Sequence, residues 1–362
     1  MFQDLDANIN LLRYGIPYNG PFHGIKYLSS FWVPVLNVND SYTFEAPDGE
    51  FVNRNFAVLD KSGKTLGTYG DIEMVMCNNS EILIRKFSKT RESLFCEACF
   101  QVAAWQTLRR FGLEKSISYV TDIVKRPGGD AVGFIMKPLL NVDTIDNIFT
   151  EIGADAITDE WIASCIAYTA IILWILETTL GLNHRDLKGD NILLSCGSGS
   201  RPQQQQQANR NTIRIVHQGI NVVLHSLADV HIVDFGFACS GKGAAGTEVG
   251  ATSYFPCTDP CPKMGRDIFQ LCTFLYMSTR VRPCLGRLAP LFEKWLTLPG
   301  KDFPAYLRSK NETDTEWVYF LLSSSRFHAE ACEPLAVLQD IARVFPDILV
   351  VDGAPTPIIT PA

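Results

Sequence analysis

Eight consecutive residues in the middle of the chain carry the densest set of groups that could do chemistry. Residues 184–191 read HRDLKGDN, and residues 234–236 read DFG. Together they supply carboxylates, an ammonium group and a side-chain amide. Phosphoryl transfer from a nucleotide needs such a set, because phosphate charge must be neutralised, metal ions held and the acceptor hydroxyl aligned. The protein contributes mostly positioning to that reaction, so the elements around the loop matter as much as its residues.

Two apolar segments flank this loop and are typical of β-strands, residues 192–194 (ILL) and 230–233 (VHIV). They predict a strand–loop–strand platform that would hold the charged side chains in place. An incidental charged surface loop would not need such strands.

These residues resemble the eukaryotic protein-kinase family, since the H-R-D-L-x-x-x-N and D-F-G motifs are both complete. The resemblance implies an α+β, two-lobed, protein-kinase-like fold. Its small lobe would be an antiparallel β-sheet with one helix, and its large lobe would be mostly helical. The implied divisions are an N-terminal extension (1–55), a small lobe (56–140), a large lobe (141–345) with an insert at about 196–228, and a C-terminal tail (346–362).

The resemblance also implies roles for the loop residues. Asp186 would accept or orient the proton of the acceptor hydroxyl, and Lys188 would neutralise the transferred phosphate. Asn191 and Asp234 would hold Mg²⁺ through oxygen atoms, and ATP would be the phosphate donor. A lysine two places after Asp186 is similar to kinases directed to serine and threonine, so the implied acceptors are Ser/Thr hydroxyls of a protein substrate.

A glycine-containing segment, residues 65–72 (TLGTYGDI), aligns with G-x-G-x-x-G-x-V. Gly67 and Gly70 match, Ile72 replaces valine, and Thr65 stands where the first glycine belongs. Glycines matter there because the backbone must approach phosphates closely. The match is weak alone and gains weight from the lysine-bearing strand that follows.

That strand is predicted over residues 81–87 (EILIRKF), where alternation puts Ile84 and Lys86 on one face. In the family, such a lysine contacts the α- and β-phosphates, and a small residue on the same face lies on the adenine. Ile84 would take that place, although it is bulkier than the usual alanine. Arg85 is the alternative to Lys86. A helix predicted over about 93–110 offers Glu97 as the ion-pair partner of Lys86, with Glu92 as the alternative.

The nucleotide pocket would be completed by Met136 at its back, by Leu193 and by backbone groups of residues 137–139. Asp143 could contact ribose or could cap a helix. One departure from the family is Gln101, which stands one turn beyond Glu97 where an apolar residue is usual.

Asn191 and Asp234 are 43 residues apart, where kinases have a tight hairpin. The insert begins with a low-complexity segment that contains five glutamines, residues 203–207, and continues with a predicted hairpin, 212–216 and 220–224. It could bind a partner of unknown identity. Thr247, Thr252 and Ser253 are candidate phosphosites, and residues 254–257 keep only the proline of A-P-E. These departures are similar to those of divergent kinases from large DNA viruses.

Composition narrows the class of partner and the compartment. A net charge of −7 and a pI near 5.4 argue against nucleic acid as a partner. Eleven scattered cysteines and an acidic start without a signal peptide favour an intracellular, cytoplasmic protein with free thiols. The pairs Cys96/Cys99 and Cys257/Cys261 could instead hold zinc. Residues 161–176 are apolar but too short for a membrane span, so we expect a buried helix capped by Thr158 and no membrane partner.

Three alternatives remain beside the protein kinase. A pseudokinase or scaffold would bind nucleotide without turnover, as the altered glycine segment and the lost A-P-E glutamate suggest. A small-molecule kinase of related fold would share the loop but not the full HRDLK run or the helix that begins near Asp267. An interaction module would depend on the glutamine-containing insert.

Overall fold

The computed structural model describes fourteen segments of the chain. They are 33–34, 40–45, 51–58, 70–77, 81–88, 94–125, 132–151, 157–195, 211–241, 249–250, 261–298, 302–310, 315–324 and 327–353. The chain divides into two compact units, one of Met1–Leu139 with Asp234–Tyr254 and the other of Leu140–Val233 with Phe255–Ala362. The DFG segment thus belongs to the first unit, although the sequence grouped it with residues 141–345.

The first unit is built on a seven-stranded sheet with the order β1-β6-β7-β5-β4-β3-β2. Its strands are β1 Val33–Pro34, β2 Asp40–Glu45, β3 Phe51–Val58, β4 Gly70–Cys77, β5 Glu81–Ser88, β6 Val120–Lys125 and β7 Val132–Met136. All neighbours pair antiparallel except β1 and β6, which are parallel. The predicted lysine strand is confirmed as β5.

Helix α1 (Phe95–Arg109) packs on β6 and β7 of this sheet. It buries Ala98, Phe100 and Leu108 completely. Glu97, on the same helix, is also buried. A short antiparallel pair, β14 (Cys239–Ser240) and β15 (Val249–Gly250), completes the described strands of this unit.

The sequence treated residues 1–55 as an extension without structural signal, yet β2 and most of β3 lie within that range and join the sheet. The polar run Asn53, Arg54 and Asn55 hides the strand in the sequence. This run pairs with β2, and residues 56–58 pair with β4. Backbone pairing forms the strand despite its polar side chains, because strand preference depends strongly on context.

The second unit is mainly helical. Its helices are α2 Ile145–Glu151, α3 Asp159–Leu180, α4 Arg266–Met277, α5 Ala289–Trp295, α6 Phe303–Arg308, α7 Glu316–Ser323 and α8 Pro334–Val344. A sheet of β8 (Val142–Thr144), β10 (Ile192–Ser195) and β13 (Asp229–Ile232) carries the charged loop, which follows β9 (Leu182–Asn183). β10 pairs antiparallel with β13, so the predicted strand–loop–strand platform is present. The predicted α+β class is confirmed.

Helix α3 is the core of the second unit and begins and ends where its sequence dictates. The Thr158 hydroxyl accepts a hydrogen bond from the Trp161 N–H at 3.2 Å, as predicted, and Gly181 ends the helix with a φ of +58°. Among the described residues it alone is long and apolar enough to cross a membrane, but 89% of that window is buried in the structure. Such burial is typical of a core helix.

The hairpin predicted in the insert is confirmed as β11 (Asn211–His217) and β12 (Ile220–Ser226). Its two turn residues, Gln218 and Gly219, both have positive φ, 50° and 78°, as a type I′ turn requires. β12 also pairs with β16 (Leu349–Asp352). Part of the predicted C-terminal tail is therefore a strand, which the sequence analysis missed because its partner lies far away in the chain.

Candidate active site

Lys86, on β5, lies at the centre of a buried cluster of charges in the first unit. Its Nζ is 2.5 Å from Glu97 Oε1 on α1 and 2.9 Å from Asp234 Oδ1. Lys86 and Glu97 are 6% and 3% exposed, whereas the Asp234 side chain is 46% exposed. The ion pair that the sequence predicts is present, and it leaves one carboxylate of the cluster open to solvent.

The alternative cation, Arg85, has a different partner. Its Nε donates to Glu73 Oε2 at 2.9 Å, on the neighbouring strand β4. Successive residues of a strand point to opposite faces, so Arg85 and Lys86 cannot serve the same site. Lys86 is therefore the cation of the cluster. Glu92, the alternative to Glu97, lies outside the described residues.

Burial and charge act in opposite directions in this cluster. Burial alone would lower the pKa of Lys86, but the carboxylates of Glu97 and Asp234 outweigh it and raise that pKa. Burial raises the pKa of Glu97 to about 7; the Lys86 ammonium opposes this shift, and the charge of Asp234 adds to it. The raised pKa keeps the ammonium charged at neutral pH, whereas burial moves the pKa of its main partner, Glu97, to about 7.

The backbone at Asp234 places its carboxylate beside Lys86. Asp234 has a φ of +66°, a conformation uncommon for residues other than glycine, and its Oδ1 accepts a hydrogen bond from the Gly236 N–H at 3.4 Å. A Cβ atom on Gly236 would lie 3.1 Å from Asp234 Oδ1 and 3.4 Å from Glu97 Oε2. The glycine of DFG thus leaves room for both carboxylates.

The other predicted nucleotide residues of the first unit lie on the strands next to Lys86. Ile72 is the cross-strand partner of Lys86, and Ile84 is the partner of Met136. All three apolar side chains are half-buried, as residues lining a pocket would be. Gly70 is the first residue of β4, and Gly67 lies outside the described residues.

Gln101 and Ser118 organise the segment after Met136. The buried Gln101 amide donates to the Ser118 carbonyl at 2.8 Å, which explains how a polar group replaces the expected apolar one. The Lys137 N–H donates to the Tyr119 carbonyl at 2.8 Å, and the Ser118 hydroxyl donates to the Lys137 carbonyl. Because Pro138 has no N–H, Leu139 is the residue of 137–139 whose N–H suits an adenine edge.

The charged loop of the second unit gathers its groups around Asp186. The Asn191 amide donates to the Asp186 carbonyl at 2.7 Å and to its Oδ2 at 2.9 Å. The Lys188 ammonium is 3.3 Å from the same Oδ2. The other two predicted loop residues, Lys188 and Asn191, therefore converge on the Asp186 carboxylate.

A buried aspartate, Asp267 at the start of α4, fixes the loop backbone. Its Oδ2 accepts from the His184 N–H at 2.7 Å, and its Oδ1 accepts from the Arg185 N–H at 2.9 Å. Asp267 thus ties the backbone of the charged loop to the start of α4. Arg185 has a φ of +67°, a conformation that these hydrogen bonds help to maintain.

The loop is also tied to the end of β13. His184 Nε2 is 2.9 Å from the Val233 carbonyl, and the Asp186 N–H donates to His184 Nδ1 at 3.3 Å, so the imidazole carries its proton on Nε2. A Cβ atom on Gly189 would overlap the Asp146 carboxylate of α2. A side chain at position 189 would therefore displace the exposed Asp146 carboxylate.

Tyr319, on α7, was missed by the sequence analysis. Its hydroxyl donates to Asp186 Oδ1 at 2.5 Å. Tyr319 lies 133 positions after Asp186, in a region of the sequence that carries no motif. Only the folded second unit brings this phenol to the loop.

Two further predicted pocket residues belong to the second unit. Leu193 is half-buried on β10, with Thr144 and His231 as its cross-strand partners. Asp143 Oδ1 accepts from the Thr144 N–H and from the Asn147 amide, at 2.7 and 2.8 Å. The helix-start interpretation of Asp143 fits these bonds better than a ribose contact.

Mg²⁺ is the metal that the resemblance implies, and the donor atoms suit it. Asp234 offers a half-exposed carboxylate, and the Asn191 amide nitrogen is turned to Asp186, which leaves its oxygen as the donor. No group of three or more His, Cys, Asp and Glu in the described segments could hold a metal by itself.

Cys96 and Cys99 are free thiols, whereas Cys261 is disulfide-bonded, contrary to the expectation of free thiols.

Several predictions lie outside the described residues, so the structure does not bear on them. They are the glycine-loop residue Thr65, the phosphosites Thr247, Thr252 and Ser253, residues 254–257, and the glutamine run 203–207.

No protein-family model matches the sequence, and no curated protein matches it. Among solved structures, the chain is similar to the structure of vaccinia related kinase 3, with a TM-score of 0.44 and 12% sequence identity. The alignment covers 90% of this chain and 95% of that one.

Proposed function

We propose that this protein is a protein kinase that transfers the γ-phosphate of ATP to Ser/Thr hydroxyls of protein substrates. The observation that carries this proposal is the buried cluster of Lys86, Glu97 and Asp234. Burying a charged pair is costly unless it is well compensated, and structural stability alone would be served as well by apolar residues. A binding role explains why the ammonium is held between two carboxylates, one of them half-exposed.

In this proposal Lys86 contacts the phosphates of ATP, and Glu97 fixes the direction of its ammonium group. When bound, Mg²⁺ would neutralise charge on the phosphate oxygens. Asp234 and Asn191 would hold it, in keeping with their oxygen donors. Ile72, Ile84, Met136 and Leu193 would contact the adenine, and Gly67 and Gly70 would admit the phosphates.

Asp186 would orient the acceptor hydroxyl and take its proton, while Lys188 would neutralise the transferred phosphoryl group. The hydrogen bonds from Asn191 and the ion pair with Lys188 support that role, because they fix the carboxylate in one orientation. Serine and threonine as acceptors are supported by Lys188, the lysine typical of kinases with that specificity.

The test is a transfer assay with γ-labelled ATP, Mg²⁺ and a generic Ser/Thr protein acceptor. We expect the parent to label the acceptor and Asp186→Asn to lose at least a hundredfold in rate while binding ATP normally. Lys86→Met should weaken ATP binding, and Arg85→Met is its matched control on the same strand. Equal labelling by the parent and Asp186→Asn would contradict the proposal.

One observation favours a second candidate, a nucleotide-binding scaffold without turnover. The Asp186 side chain is only 9% exposed and is covered by Tyr319. A scaffold would bind ATP in a Lys86-dependent manner and transfer no phosphate to any acceptor. The same assay, combined with ATP titration, separates the two candidates.

A further inference from the structure

Both carboxylate oxygens of Asp186 are occupied within the second unit. Asn191 and Lys188 lie on Oδ2, at 2.9 and 3.3 Å, and the Tyr319 hydroxyl donates to Oδ1 at 2.5 Å. The two partners on Oδ2 come from the loop itself. Tyr319 comes from a helix that has no other part in the proposed chemistry.

The contact on Oδ1 has the chemistry of a bound acceptor. A hydroxyl that gives its proton to a general base must come within about 2.6–3.2 Å of it and donate a hydrogen bond. The phenol does this at Asp186, where the side chain keeps only 9% exposure. An incoming serine or threonine hydroxyl cannot reach Oδ1 while the phenol covers it.

The position of Tyr319 is set by packing. Its neighbours on α7, Val318 and Leu322, are fully buried, and its ring lies 6.3 Å from that of Phe274 on α4. The Ser323 hydroxyl donates to the Tyr319 carbonyl at 2.7 Å. The next residue, Phe320, is 76% exposed, so the helix is anchored through the side that presents the phenol.

We propose that Tyr319 fills the acceptor-hydroxyl place on Asp186, so that the phenol and the acceptor compete for one carboxylate oxygen. This inference rests on the proposed kinase function and adds to it an internal competitor of the acceptor. Acceptor binding then requires the Tyr319–Asp186 hydrogen bond to break. ATP binding does not require this, because the phenol contacts only the group that handles the acceptor.

Tyr319→Phe is the direct test, because it removes the hydroxyl and keeps the ring that packs on Phe274. We expect the apparent KM for a protein acceptor to fall about tenfold, the lower range for losing a hydrogen bond to a charged group. The KM for ATP should not change. Tyr306→Phe is the matched control, because Tyr306 is 42% exposed and packs on Trp317 of the same helix without touching Asp186.

Each outcome of these measurements either supports or overturns the competition between Tyr319 and the acceptor. A lower acceptor KM in Tyr319→Phe, or transfer that appears only in this variant, supports the competition. An unchanged acceptor KM overturns it, and a lower kcat at constant KM overturns it in favour of a positioning role for Tyr319. Absence of transfer from the parent, Tyr319→Phe and Asp186→Asn alike refutes the kinase function itself, and that result is distinct from active enzymes with equal KM.

Discussion

Because of Glu97, we expect the transfer activity and the stability of the protein to change in opposite directions with pH. Its carboxyl has an ordinary pKa of 4.5, which the fold raises to about 7 through burial. Below pH 7 the carboxyl takes up a proton, and Lys86 loses its nearest negative charge. We therefore expect kcat/KM for transfer to fall about tenfold per pH unit below 7, once the protonated form dominates.

The effect on stability has the opposite sign. Because the pKa rises from 4.5 to about 7 on folding, the folded state binds more protons than the unfolded state between those pH values. The contribution of Glu97 to the free energy of unfolding is thus present below pH 4.5 and declines as the pH rises, by about 3 kcal/mol once the pH exceeds 7.

The perturbation is Glu97→Gln, which keeps the side-chain shape and cannot titrate. We expect this variant to have a kcat/KM about a hundredfold below the parent at pH 8 and no acid limb near pH 7, because a buried ion pair has lost one partner. Transfer rates and urea unfolding, each measured from pH 5.5 to 8.5, give both profiles. The parent minus the variant isolates the Glu97 contribution to stability.

Glu73→Gln is the matched control, since it removes the partner of Arg85 on the same sheet and leaves Lys86 untouched. It should retain the acid limb of the parent. If Glu97→Gln showed the same acid limb as the parent, the titrating group would lie elsewhere, and the reasoning about the Lys86 cluster would be refuted.

Three further substitutions test single contacts. Asp267→Ala removes the acceptor of two buried loop N–H groups, so urea unfolding should show a free energy of unfolding lower by about 3 kcal/mol. The variant should also have a lower kcat, with a smaller change in the KM for ATP. Gly236→Ala places a methyl group 3.1 Å from Asp234 Oδ1, so calorimetric titration should show Mg²⁺-ATP binding weakened about tenfold, and unaltered binding would contradict the geometry. Gln101→Leu leaves the Ser118 carbonyl without its donor, which should cost about 1 kcal/mol in stability while transfer persists; loss of transfer would assign Gln101 a role beyond packing.

Local pattern and motif were sufficient for the elements nearest the chemistry. Alternation in residues 81–87 located the Lys86 strand, and the Thr158 cap located the start of α3. Each of these signals lies within a few consecutive residues of the element that it predicts. The loop and DFG motifs identified the polar groups that converge on Asp186 and Lys86.

The features that the sequence analysis missed all depend on partners distant in the chain. β3 is recognisable only beside β2 and β4, and β16 only beside β12. Tyr319 reaches Asp186 from α7 through packing of the second unit. The Lys137 N–H is committed to Tyr119 by the pairing of strands, which no local pattern reports.

The central claim is that the Lys86 cluster binds the phosphates of ATP, and an experimental structure with a non-hydrolysable ATP analogue and Mg²⁺ tests it most directly. We expect phosphate oxygens within about 3 Å of Lys86 Nζ, an intact Lys86–Glu97 pair, and Mg²⁺ on Asp234 and Asn191. An analogue bound away from Lys86, or Mg²⁺ held by other residues, would contradict it.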